Sequence, residues 1–178
     1  MNIKKYLPFE NYVLTSKLSL EEVTRRLADN IEPKKSFRFS GFNKSSNKPY
    51  EGQISNGTFT ISRIINYRNS FLPVVTGHIS TFIGKTQINV KMQPVTFVLI
   101  FIFLWLGIVG LACLVIILVG LLQFQQVLQN GFSPMILISF GMFLFGCLFT
   151  TLAFKAESKK SKEFLEQLFE GEENFDAR

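Results

Sequence analysis

The side chains of this chain best equipped for chemistry are guanidiniums beside hydrogen-bonding groups: Arg63, and shortly after it the run Tyr67-Arg68-Asn69-Ser70. A guanidinium is a planar fork of donors that grips a carboxylate or phosphate with two parallel bonds. Arg63, Arg68 and Asn69 are therefore expected to form a site for an anion, such as an acidic head group or the acidic surface of a partner. Arginines beside a turn are also commonly no more than solvated. Little else is reactive. His78 is the only histidine, placed in an expected strand, and the two cysteines, Cys113 and Cys147, lie far from it in apolar segments, so no metal set is expected. There is no phosphate-binding glycine loop, no His-Glu-x-x-His and no Gly-x-Ser-x-Gly. These residues predict no enzyme activity and no cofactor.

The elements that would position such a site are organised around an apolar block. Between Lys91 and Lys155 the chain has no Asp, Glu, Lys, Arg or His, and two runs in that stretch, Val95 to Leu122 and Met135 to Phe154, are continuously apolar. Each reaches the roughly 20 residues needed to cross a hydrocarbon core about 30 Å thick. Helices buried in a soluble bundle normally keep a polar stripe, and neither run has one. The two are expected to form a transmembrane hairpin. Lacking ionisable groups, the spans offer no proton relay or ion filter, and lacking histidine they offer no imidazole for haem. At about 1.5 Å per residue the two cysteines sit at different depths, too far apart for a disulfide.

Basic residues orient the hairpin. The connector Gln123 to Pro134 has no Lys or Arg, whereas Lys85 and Lys91 precede the first span and Lys155, Lys159, Lys160 and Lys162 follow the second. Positive flanks stay inside, so both termini are expected in the cytoplasm. The segment up to Lys91 holds 14 Lys and Arg against 6 Asp and Glu, while Lys155 to Arg178 holds 5 against 7. A basic segment beside a bilayer is drawn to anionic lipid heads. Its basic residues are scattered and carry no nucleic-acid motif, so nucleic acid is not an expected partner.

Within residues 1–93 the pattern predicts α+β structure. Tyr12 to Ser16 reads as a strand. Ser19 and Glu22 form a capping box, with Leu18 and Val23 at staple spacing, and Leu20, Val23, Leu27 and Ile31 make one apolar helix face that Pro33 ends. Phe37 and Phe39 then alternate with polar residues. Tyr50 to Ile64 reads as a hairpin turned at Asn56-Gly57, a pair suited to a type I′ turn. That register sets Ile54 opposite Phe59 and Gly52 opposite Ile61. Further strands carry Val75, Gly77 and Ile79, then Ile88, Val90 and Met92, giving about six strands, mostly antiparallel, with one helix after the first.

After the second span, Phe164, Leu165, Leu168 and Phe169 form an apolar stripe, with Lys159–Glu163 and Lys162–Glu166 as pairs four apart and Gly171 placed for a helix stop. The stripe is expected to close the sheet. The fold class is thus an α+β membrane protein: a mostly antiparallel sheet with one N-terminal helix, a two-helix transmembrane hairpin and a C-terminal closing helix. Its parts are residues 1–93, the hairpin 94–154 with spans 95–122 and 135–154, and residues 155–178. Phe97, Phe101 and Trp105 recur on one face of the first span and are expected to pack against the second span or another protein.

The order of strand, helix, antiparallel strands and closing helix resembles helix-grip folds of START and polyketide-cyclase type, and it is similar to pleckstrin-homology-like barrels. The segment Tyr67-Arg68-Asn69-Ser70-Phe71-Leu72-Pro73, with the hairpin before it, resembles small two-span membrane proteins of bacteria. That resemblance implies an inner or other energy-transducing bacterial membrane and no particular activity. The expected function is a membrane-anchored, non-enzymatic module binding a lipid, an apolar ligand or a partner protein; the alternative is an accessory or assembly subunit of a larger membrane complex. The expected partners are the bilayer and, on the alternative, that complex.

Overall fold

A computed structural model describes residues 7–33, 48–67, 69–123, 125 and 134–173. In chain order the described elements are β1 (Glu10–Ser16), α1 (Leu20–Asn30), β2 (Ile31–Pro33), β3 (Tyr50–Ser55), β4 (Thr58–Arg63), β5 (Pro73–Phe82), β6 (Lys85–Pro94), α2 (Thr96–Leu122), α3 (Pro134–Phe169) and β7 (Gly171–Glu173). The strands form one sheet in the order β2-β3-β4-β5-β6-β1-β7. Among the described strands only β2 and β3 pair in parallel, which makes the sheet mixed. The chain divides into two compact units, Met1–Val95 with Phe154–Arg178, and Thr96–Ala153.

Turn chemistry sets the register of the central hairpin. Asn56 and Gly57 take φ of 47° and 71°, the left-handed values of a type I′ turn, which Asn and Gly adopt at low cost. Ile54 consequently faces Phe59, and Gly52 faces Ile61. Alternation then sorts the strands into two faces. Tyr12 and Leu14 of β1, Phe59 and Ile61 of β4, Val75 and Ile79 of β5, and Ile88, Val90 and Met92 of β6 are buried on one side. Gln53, Thr58, Thr60, Thr76, His78, Asn89 and Lys91 are exposed on the other. Gly77 lies directly beneath the Phe59 ring, in space that a Cβ would fill.

Two helical segments cover the apolar face. Val23 and Leu27 of α1 and Phe154, Leu165 and Phe169 of α3 join the strand residues in one core, with Leu18, Phe164 and Leu168 packed at its margin. Each fully buried large side chain contributes about 1.5 to 3 kcal/mol. The Ser16 hydroxyl donates to the Phe169 carbonyl at 2.6 Å, and Arg26 of α1 donates to the Leu168 carbonyl and to Glu170. The end of α3 is thereby tied to β1 and α1 at once. Lys155 reaches Glu10 at 2.7 Å.

Several expectations need correction. The Ser19 hydroxyl does accept from the Glu22 amide at 3.2 Å. The Glu22 carboxylate, however, pairs with Arg25 and Arg26 instead of returning to the cap. Hydrogen bonds from Arg25 and then Arg26 hold its carboxyl down at about 2. Leu20 is exposed and not part of the buried face. The helix stops at Asn30, before Pro33, because Ile31 turns extended and starts β2. At the far end Glu170, with φ of 48°, takes the left-handed position that ends α3, and Gly171 opens β7. Arg26 holds Glu170 there, which offsets the missing glycine. The strand expected around Phe37 and Phe39 lies outside the described residues.

In the second unit α2 packs against the first part of α3. The Trp105 ring occupies the space in which Gly146 lacks a side chain, and Phe143 packs beside Gly110. Of the aromatic stripe, Trp105 makes this packing contact, while Phe97 and Phe101 are 77% and 61% exposed and face outward. Thr150 satisfies its hydroxyl within its own helix, donating to the Gly146 carbonyl at 2.8 Å. Both α2 and the described helix from Ile136 to Phe169 are long and apolar enough to cross a membrane.

Candidate functional site

Strand β4 ends at Arg63, and its cross-strand partner Tyr50 opens β3. Both lie under the segment of α3 that runs from Glu157 to Phe164. Helical spacing puts Glu157, Ser161, Phe164 and Leu165 on the side of α3 that meets the sheet. Tyr50 is fully buried and stacks on Phe164 with ring centroids 4.3 Å apart. Arg63 aims its guanidinium at Glu157, with Nη2 2.7 Å from Oε2. The same Nη2 donates to the Tyr67 hydroxyl at 2.7 Å, and that hydroxyl donates to Glu157 Oε1 at 2.8 Å. Lys160 adds a further bond to Oε1 at 3.1 Å.

Glu157 is therefore a buried carboxylate enclosed by three donors. Burial opposes its charge, but the Tyr67 hydroxyl, Lys160 and Arg63 together outweigh that effect and hold the carboxyl below the usual range. The network carries two cations and one anion, a net positive charge under α3.

Beside it lie polar atoms that the fold leaves unpaired. The hydroxyls of Tyr12, Tyr50 and Ser161 and the Nε of Arg63 are buried without a hydrogen-bond partner among the described residues. Burial, with Ser161 acting in the opposite sense and Arg63 and Glu157 also felt, raises the Tyr50 phenol above its ordinary value. Ser161 stands next to Tyr50 without the geometry of a full hydrogen bond. Tyr12 is raised further, by burial first and then by Glu166, Glu10 and Glu173. Lys162 sits 5.1 Å from the centre of the Tyr12 ring. Buried polar groups are nearly always satisfied, so a group of orphans marks a place where the chain's own fold is not the whole account.

Of the expected anion site, two of the three residues are described. Arg63 is present but already engaged with Glu157. Asn69 accepts the Phe71 amide at 2.9 Å with its side chain and so shapes the turn. Arg68 lies outside the described residues. Tyr67, in the run expected beside Arg63, does join it here, whereas the sequence did not point to Glu157, Tyr50 or Ser161. The signal that could have found Glu157 and Ser161 is their spacing with Leu165 along one helix face, where two polar residues continue an apolar stripe; nothing comparable marks Tyr50. His78 is exposed on the polar face of the sheet. Among the described residues no group of three or more His, Cys, Asp or Glu could hold a metal ion. Comparison of the chain with protein-family models, curated proteins and solved structures gave no match.

Proposed function

We propose that this chain is a membrane-anchored, non-enzymatic binding module, and that the polar groups beneath α3 receive the acidic head of a lipid or of another ligand with an apolar body. The observation that carries this reading is the set of orphaned atoms on Tyr12, Tyr50, Ser161 and Arg63. A buried polar group without a partner costs about 1 to 3 kcal/mol. Several in one neighbourhood are a liability unless something bonds to them. Three of the four are hydroxyls and the fourth is a guanidinium N–H, so the complement is oxygen-rich. Around Tyr50 and Ser161 the net positive charge of Arg63, Lys160 and Glu157 makes an acidic oxygen group the better fit, whereas Tyr12 lies among Glu166, Glu10 and Glu173. In this reading α2 and α3 are the membrane anchor, and the uncharged connector faces outward with both termini in the cytoplasm.

Native mass spectrometry of the full chain, released in mild detergent, tests the proposal. The wild type should carry an acidic lipid or ligand, and the Tyr50→Phe/Ser161→Ala variant, which removes two hydroxyls with little change of shape, should lose most of it. A wild-type chain with no added mass would refute the proposal. A stoichiometric protein partner in its place would support a second reading, an accessory or assembly subunit of a larger membrane complex, which the outward-facing Phe97 and Phe101 favour.

A further inference from the structure

The network of Arg63, Tyr67, Glu157 and Lys160 belongs wholly to the unit Met1–Val95 and Phe154–Arg178, and strand register fixes which end of the sheet carries it. Tyr50 pairs with Arg63, and Ser62 pairs with Val74, so the row runs on from Arg63 to Pro73. Pro73 in turn pairs with Pro94, the last residue of β6, and only Val95 separates that residue from α2. Glu10, paired with Met92 at the same end, holds Lys155, which directly follows Phe154, the close of the apolar run of α3. Both connections to the apolar helices therefore leave from the end that holds the network. Glu157 and Ser161 follow Phe154 along α3 by about 5 and 10 Å, at roughly 1.5 Å per residue. Head groups extend about 5 to 8 Å beyond the hydrocarbon on each side of a bilayer. With α2 and α3 as spans, the network occupies the head-group layer.

Charge selects among the heads within reach. Arg63 and Lys160 against Glu157 leave one positive charge, and the neighbouring Lys155 is matched by Glu10. One negative charge balances that surplus, whereas a second would be left facing the Glu157 carboxylate. A phosphodiester carries one charge, and a phosphate monoester carries nearly two. The donors suit a phosphate as well. The hydroxyls of Tyr50 and Ser161, 2% and 1% exposed, and the Arg63 Nε come from three different elements, and a tetrahedral group offers oxygens to all three. Ile64, Ile65, Phe71 and Leu72, half-buried in the connection from β4 to β5, add apolar surface at the same end of the sheet. We propose that the network receives the phosphate of a singly charged phosphodiester lipid drawn from the adjoining leaflet. Tyr67 and Lys160, each about half exposed, are its members at the surface, so the head enters past them. The inference rests on the proposed function and narrows it from any acidic ligand to one class of membrane lipid.

The test uses the full chain in phosphatidylcholine nanodiscs that hold equal amounts of phosphatidylglycerol, a singly charged diester, and phosphatidate, a monoester, with identical acyl chains. It is run at about pH 8, where the monoester is doubly charged. Native mass spectrometry after release in mild detergent should find phosphatidylglycerol retained several-fold over phosphatidate. Glu157→Gln raises the network to two positive charges and should reverse that preference. Lys160→Gln, at the exposed rim, should lose most of the retained phosphatidylglycerol, and it carries the test if Glu157→Gln does not fold. Equal retention of the two lipids, or full retention of phosphatidylglycerol by Lys160→Gln, would overturn the charge match. Phosphatidylglycerol still held by Tyr50→Phe/Ser161→Ala would place the lipid elsewhere on the chain and overturn the site. Displacement of the lipid by inorganic phosphate would overturn its membrane origin and leave the broader reading of an acidic ligand standing. A wild type that retains neither acidic lipid nor inorganic phosphate would contradict the proposed function itself.

Discussion

Glu157 is the residue on which the polar network depends. Its neighbours hold its carboxyl below the ordinary range, so the folded state favours the ionised form more than the unfolded state does. A group depressed in this way adds stability that is fully present above the unfolded value and is lost as pH falls through the folded one. Glu157→Gln keeps the shape but removes the charge and should cost about 1.5 to 3 kcal/mol near neutral pH. Chemical denaturation of both proteins should show that gap constant above about pH 5 and narrowing below the ordinary carboxyl value of about 4.3. A gap that stayed the same down to about pH 3 would mean that the charge does not matter. In sequence only its spacing with Ser161 and Leu165 sets Glu157 apart from a stretch rich in Lys and Glu, and its partners Arg63 and Tyr67, some 90 residues away in the chain, could not be read from it.

At the scale of elements, α3 decides whether the sheet is closed. Leu165 and Phe169 are fully buried, and Ser16 and Arg26 bond to the last carbonyls of the helix. Leu165→Asp would bury an unpaired carboxylate, and a chain ending after Ser158 would uncover several large side chains at about 1.5 to 3 kcal/mol each. Either change should leave the α+β unit unfolded or aggregated, since domain stability is only about 5 to 15 kcal/mol. Limited proteolysis checks this: a resistant fragment from the truncated chain would contradict the role given to α3. This closure was legible in sequence because the apolar stripe has a helical period and no local partner. The Asn56-Gly57 hairpin was legible because its turn residues fix its register. Three-residue β2 and β7 were not, since so short a segment shows no period. The turn of Ile83 and Gly84 that joins β5 to β6, with φ of 49° and 71°, was also hidden, because isoleucine is not a residue that left-handed turns select.

For the whole molecule, what sequence supplied was an apolar block without a single charge and an uneven placement of lysines. The geometry adds a sheet whose closing helix belongs to the same continuous α3 that begins at Pro134. The central claim is that α2 and α3 cross a bilayer and leave residues 1–93 and 155–178 on one side of it. Thiol labelling in intact cells tests this most directly, in a background with Cys113 and Cys147 replaced by alanine. A cysteine at Asn130→Cys, in the uncharged connector, should react with an impermeant reagent added outside. Cysteines at Asn47→Cys and Arg178→Cys should react only after the membrane is opened. Labelling of Asn47→Cys or Arg178→Cys in intact cells, or protection of Asn130→Cys, would contradict the account.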